Sequence, residues 1–472
     1  MHDVATVVSN ETWSPTIRAL AQVLLLVVTA TLTGGCTTSS DFQKPENSTF
    51  LPADDAQFLE GLTAAILNAA RVPAGATVAG QPPNASGYTL IRPSAGDAHP
   101  AFWIRDFAMS LDSGLITLDE QRHALLQAAF YQQDGELLLP TTGARVPQGA
   151  IPDHITFDGI PIFFPGSLND YAGQGGGPWG MYPCFDTPFY FIHMAYFLVQ
   201  SSQDITILQT NVRGKTVLKR LQLAYRMPPH RDESGLVSCT DETRGINFGF
   251  VDTVEQTGEL LMSSLLKLRA AVQLSVLMDA AGNTLAGDLY REDAAHIREG
   301  IATTFPLDTG FLRASTGRSA QPDVWGTAFA VYLQILPPET ERRACIALAS
   351  AYESGTIAWK GLIRHVPTDA DFNSDSMWES AQTEKNQYQN GAYWPTPTGW
   401  VTDAIAKVDR NLAQKLAGEY IATLREGDFR EGKRNGEPWQ CAHPTGGYRT
   451  NGAYLTGVSA PLSVFRRMAA RR

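Results

Sequence analysis

The sequence predicts an all-α fold, an (α/α)6 toroid in which six helical hairpins are arranged concentrically. Three observations carry this expectation. Segments with apolar residues at helical spacing recur along most of the chain, about eleven or twelve of them. Short turns alternate with long Gly/Pro/aromatic stretches, such as 141–183 and 355–397, which suits hairpins whose long loops gather at one rim and form a pocket. The 472 residues are 43% hydrophobic and 18% charged, an ordinary globular composition with ample material for a large core. Two stacked helical domains are the rival arrangement.

The chain opens on an apolar run from Ala19 to Thr33, just after Arg18. It is too short for a membrane span and reads as an export signal over 1–36. Thr33-Gly34-Gly35-Cys36 is similar to a loose lipobox, which implies a lipidated Cys36 and attachment to the cell envelope; a plain signal implies secretion. Residues 37–50 are polar and read as a tether, leaving 51–472 as one domain.

Helical periodicity follows at 54–70, 118–131, 187–200, 205–225, 254–278, 290–304, 325–336, 338–352, 400–424 and 451–468, with a further helix start near Arg105. The net charge of −11 repels phosphate backbones and argues against a nucleic-acid partner. Cys184, Cys239, Cys345 and Cys441 show no metal spacing and allow two bridges or none. The histidines are scattered, so no metal site is expected, and neither is a cofactor. A monomer is expected.

Aromatics make up 10% of the chain, nine Trp among them, and aromatic faces stack on sugar rings as well as filling cores. Cleaving a glycosidic bond takes two carboxyls, one to protonate the leaving oxygen and one to activate water or attack carbon. Four segments place acids or amides in such surroundings. In His99–Met109, Arg105 and Asp106 stand among Phe102, Trp103 and Phe107; the pair can bind vicinal hydroxyls or form a structural ion pair. In Phe248–Glu259, Asp252 and Glu255 have the spacing of a helix cap, and a Glu255 crowded by Phe248 and Phe250 also suits an acid catalyst. The late segment from Asp428 to Trp439 offers Glu431 and Glu437 as bases, or is a solvated charged loop. The run from Asn386 to Pro395, with Asn390, Tyr393 and Trp394, suits a sugar platform or a core-lining loop. Asp153-His154 and Asp186 each read as a cap or a pocket residue, and Glu379 is a reserve base.

These segments resemble the six-hairpin glycosidase superfamily, especially its glucoamylase-like and related inverting branches. Trp103-Ile104-Arg105-Asp106 is similar to a Trp-x-Arg-Asp segment that holds the sugar at the cleavage subsite. Asp252-Thr253-Val254-Glu255, leading towards Leu268-Arg269-Ala270, is similar to an Asp-Leu-Trp-Glu segment, which implies Glu255 as general acid; Val254 stands where Trp is usual and Gln256 where a second acid is. Phe429-Arg430-Glu431, followed by Asn435-Gly436-Glu437-Pro438, resembles a late loop that implies Glu431 as base. Asn390-Gly391-Ala392-Tyr393-Trp394-Pro395 resembles an Asn-Gly-x-x-Trp-Pro loop.

The resemblance implies a glycoside hydrolase acting on a carbohydrate by inversion, with carboxyls roughly 6.5–9.5 Å apart. Arg105, Asp106 and Asp252 would hold the sugar, and Trp103 and Trp394 would pack on it. Two other classes stay open. A lyase or epimerase on the same toroid would rely on His154, His193, His365 or His443. A glycan-binding lipoprotein would keep the aromatics and lack a carboxyl.

Overall fold

Twelve α-helices form among the described residues, and short polar side chains set many of their starts. The computed structural model describes residues 50–78, 80–96, 98–165, 174–176, 179–431 and 438–471. The expected signal 1–36, its Cys36, the tether up to residue 49, and Glu437 lie outside the described residues.

The chain alternates outer and inner helices. The outer ones are α1 (Ala53–Ala70), α3 (Leu118–Tyr131), α5 (Val217–Arg226), α7 (Thr284–Thr304), α9 (Pro338–Glu353) and α11 (Arg410–Glu426). The inner ones are α2 (Ile104–Ser110), α4 (Thr187–Ser202), α6 (Leu261–Ala280), α8 (Val324–Tyr332), α10 (Thr398–Ala406) and α12 (Thr456–Ala470). Thr117 and Glu120 make a reciprocal capping box on α3, and Thr216, Asn283, Asp323 and Asp409 cap α5, α7, α8 and α11. Each satisfies a backbone N–H that the first turn leaves without a helical partner.

Burial separates the two sets. Every residue of α2 is buried, as is all of α8 but Tyr332. Outer α7 buries only a stripe, Gly287, Tyr290, Ala294, Ile297, Gly300 and Ile301, at helical spacing. The inner helices pack in sequence, α2 on α4, α4 on α6, α6 on α8, α8 on α10 and α10 on α12, and α12 returns to α2. That closed cycle is the (α/α)6 toroid and excludes two stacked domains. Apolar α6 is long enough to cross a membrane, but most of it is buried inside this ring.

Several expected helices differ in their bounds, by four to six residues at one end in 290–304, 325–336 and 451–468, and three are broken or start late for a visible reason. The segment expected to be helical from 254 turns helical only at Leu261. Val254 instead bridges to Ala381, Leu260 bridges to Ser315, and Gly258 takes φ 77. Asp252 and Glu255 are therefore not cap residues of α6. The segment 205–225 is broken by a hairpin whose turn residues Arg213 and Gly214 have φ 49 and 82. The segment 400–424 breaks where Asp409 starts α11.

Before α2 and α4, three short antiparallel strands, β1 (Ala101–Trp103), β2 (His154–Thr156) and β3 (Pro161–Ile162), pair in the order β1-β2-β3. Their register sets Trp103 opposite His154.

Candidate active site

The segments leading into the inner helices meet at one end of the ring, around Arg105. Its Nε lies 2.5 Å from Asp186 Oδ2, and its Nη2 lies 2.8 Å from Asp153 Oδ1 and 3.1 Å from Asp186 Oδ1. Arg105 is in the first turn of α2, Asp186 immediately precedes α4, and Asp153 immediately precedes β2. The backbone N–H of Gly249, in the segment before α6, also donates to Asp186, at 2.9 Å. A Cβ at Gly249 would stand 1.9 Å from Arg105 Cζ, so only glycine lets the two segments close. Asp153 Oδ2 faces His154 Nδ1 at 2.8 Å. Burial alone would raise the Asp153 carboxyl, but the Arg105 guanidinium and His154 hold it below the ordinary carboxylate range.

Two other carboxyls at this end are shifted the opposite way. Burial pushes Asp252 up to about 7 against the pull of Arg105, with the Asp153 and Asp186 charges adding to the rise. Its Oδ1 is fully enclosed and has no hydrogen-bond partner. Burial likewise raises Asp106 to about 6, against Arg105 and a hydrogen bond from the Tyr454 hydroxyl at 2.5 Å. The segment carrying Asp252 is held by Gln389. The Gln389 carboxamide oxygen accepts from Thr253 N and Oγ1 at 2.7 and 2.8 Å, and its nitrogen donates to Gly249 O at 3.2 Å.

The walls are aromatic. Trp103 stacks on His154, with ring centres 4.3 Å apart, and meets His99 edge-on. Tyr454, just before α12, contacts His99 and Phe250. Behind them Phe250, Trp325, Trp394 and His365 form one packed cluster. Its members come from segments at the starts of α6, α8 and α10, so these meet at the same end as α2, α4 and α12.

The expected residues divide on this geometry. Trp103, Arg105, Asp106 and Asp252 come together, with Asp153, His154 and Asp186 beside them. Glu255 stands apart. Its Oε2 accepts from Arg318 Nη1 at 2.6 Å, and Arg244 lies 3.8 Å from Oε1. Its side-chain partners among the described residues are these two arginines, and Trp103, Arg105 and Asp106 are not in contact with it. Trp394 is fully buried, so its ring packs in the core and offers no face to a sugar. Asn390 is buried as well. Its Oδ1 accepts from Met377 N at 2.8 Å and its Nδ2 donates to Thr383 O at 2.7 Å, so the side chain braces its own loop. Tyr393 is buried and stacks on His443.

Glu431 is exposed at the end of a 3-10 turn, beside an Arg430 that binds Asp428 and lies over Phe58 of outer helix α1. Glu379 is exposed and accepts from Ser319 N at 3.0 Å, next to Arg318. Of the histidines weighed for proton abstraction, only His154 touches the Arg105 cluster. His193 pairs with Gln273, and His365 is buried against Trp325. Cys184, Cys239, Cys345 and Cys441 are all free and buried. No metal-ligating group of side chains occurs among the described residues.

Sequence reasoning missed Tyr454, and it marked the segments that hold Gly249 and Gln389 without the contacts these two make. Local sequence does not mark these contacts, because each joins a residue from another hairpin.

Comparison with solved structures gives the same architecture. The chain is similar to the GH63 mannosylglycerate hydrolase from Thermus thermophilus in complex with glucose. The TM-score is 0.54 and the identity 14%, over 87% of this chain and 99% of that one. It is also similar to a rhamnosidase from Klebsiella oxytoca with rhamnose bound (TM-score 0.53, 11% identity), covering 88% of this chain and 64% of that one. An uncharacterized conserved protein from Thermus thermophilus matches at TM-score 0.51 and 14% identity, over 86% and 99%. No protein-family model and no curated protein matches the sequence.

Proposed function

We propose that the protein is a glycoside hydrolase that removes a terminal sugar with inversion, and that Asp252 is its general acid. The observation that carries this reading is the half-buried Asp252 carboxyl, raised to about 7 beside the Arg105 cluster and reached by the Gln389 carboxamide. A carboxyl protonated near neutrality is what an acid catalyst needs. The glycosidase descriptions of two structures with this fold agree with it.

In the proposed reaction a sugar enters over the inner-helix starts and packs on Trp103. Asp106 and the free edge of Arg105 fix its hydroxyls. Asp252 gives its proton to the glycosidic oxygen, and the carboxylate left behind faces the Arg105 guanidinium, which stabilises the new charge. The segment bearing Glu431 and Glu437 supplies the base, which takes a proton from water attacking the opposite ring face. No cofactor enters these steps. Export and attachment through Cys36 remain part of the proposal, and they suit a carbohydrate substrate outside the cell.

A second reading rests on the Asp153–His154 pair. His154 Nε2 is buried and without a hydrogen-bond partner, next to Trp103. A polysaccharide lyase would use such an imidazole to abstract a proton.

The test is a screen of aryl glycosides and oligosaccharides, with NMR of the first-formed anomer. Inverted product, lost in Asp252→Asn and in one of Glu431→Gln or Glu437→Gln, is expected. An ultraviolet-absorbing unsaturated product lost in His154→Ala would replace the hydrolase by the lyase.

A further inference from the structure

A crevice with polar and apolar walls lies among α5, α6 and α7. It has a volume of about 270 Å³ and is lined by Gln222, Tyr225, Arg226, Lys267, Tyr290 and Asp293, among others. None of these belongs to the Arg105 site.

Lys267 is the unusual member. It sits on inner helix α6 and is only 2% exposed, among Leu, Ser and Ala neighbours. Its Nζ donates to Gly235 O at 2.8 Å and lies 5.8 Å from the centre of the Tyr225 ring. An ammonium has three N–H donors, and that carbonyl uses one. Among the described residues no carboxylate lies at ion-pair distance of it. Asp293, the nearest acid in the crevice, accepts the Tyr225 hydroxyl. Burial holds the Lys267 amine below its ordinary range, the mark of a cation that lacks a compensating partner.

At the mouth, Arg226 ends α5 exposed, and no carboxylate pairs with it among the described residues. His230 stands at the same mouth, with the exposed carboxylate of Asp232 at 3.7 Å. Two cations, one buried and one at the entrance, thus face a cavity holding one carboxylate that is already hydrogen-bonded. Lysine and arginine so placed match the oxygens of an anion, and the Gln222 carboxamide adds a neutral donor.

We propose that this crevice binds the oxyanion group of a small molecule, a carboxylate or a phosphate, between Lys267 Nζ and the Arg226 guanidinium. The site is separate from the proposed hydrolase chemistry and stands or falls independently of it.

Calorimetric titration of the full chain at low ionic strength tests it, with inorganic phosphate in one arm and sodium gluconate in the other. Saturable binding in either arm is expected, and the arm that binds identifies the source of the oxyanion. Arg226→Ala, an exposed change that leaves the fold intact, should weaken that binding about tenfold, roughly the loss of one charge-assisted contact. Lys267→Met should abolish it. No saturation by ~10 mM in either arm, or binding that Arg226→Ala leaves unchanged, overturns the proposal. Because Arg226→Ala does not touch the core, the outcome does not depend on Lys267→Met folding.

Discussion

Glu255 Oε2 lies 2.6 Å from Arg318 Nη1, whereas Asp252, three residues earlier, keeps a carboxyl oxygen enclosed and unpartnered. The two acids of one short segment therefore face different chemistry, and the assignment of the acid turns on that difference.

Asp252→Asn should lower kcat by about 10²–10⁴ with little change in KM, the range for loss of a positioned acid. Glu255→Gln should cost much less and act mainly through loosening of the Arg318 contact. Steady-state kinetics of both variants on one substrate decide between them. Equal losses, or a larger loss in Glu255→Gln, would return the acid role to Glu255.

The pH dependence follows from the same carboxyl. Asp252 is raised to about 7, so it carries its proton below that pH and loses it above. Activity should fall as pH rises through about 7. The sign for stability is the same. A raised carboxyl favours the folded state fully below its unfolded value near 3.8, and this contribution is lost as pH rises through about 7. Thermal melts of Asp252→Asn should therefore show the variant gaining on the native protein as pH rises from about 4 to about 7, with no further gain above that.

Gly249→Ala puts a methyl into the space of the Arg105 guanidinium. We expect about 1–3 kcal/mol of destabilisation from overpacking, and a loss of activity larger than that of a surface change, because Arg105 must shift from Asp186. Urea titration and kcat/KM of the variant check both. A variant of native stability would mean the two segments move apart at little cost.

Arg105→Met leaves Asp153 and Asp186 buried without their cation. The expected loss is about 3–5 kcal/mol, seen in denaturant unfolding. Asp186→Asn, which keeps the shape, should cost less.

Trp103 and Trp394 should behave oppositely. Trp394→Ala removes a fully buried ring and should destabilise by about 3–5 kcal/mol, with KM unchanged in the protein that remains folded. Trp103→Ala should raise KM with a smaller effect on the melting temperature. A raised KM in both would restore Trp394 as a sugar platform.

Much of this protein was legible in its sequence. The recurring 3.6-residue period and the alternation of short turns with long loops gave the toroid, because helical amphipathicity and capping are local properties. Segments such as 118–131 and 338–352 were found nearly to the residue for that reason. The local chemistry of Arg105, Asp106 and Asp252 also marked them out.

Tertiary structure alone decided which residues meet. Glu255 met Arg318 from 63 positions away, Asp252 came to share the Arg105 cluster with Asp153 and Asp186, and Asn390 and Trp394 turned inward. A carboxyl's protonation depends on its burial and on the charges around it, and these come from hairpins distant in sequence. No local pattern encodes that sum, so the sequence could nominate the acids while only the closed ring could assign their work.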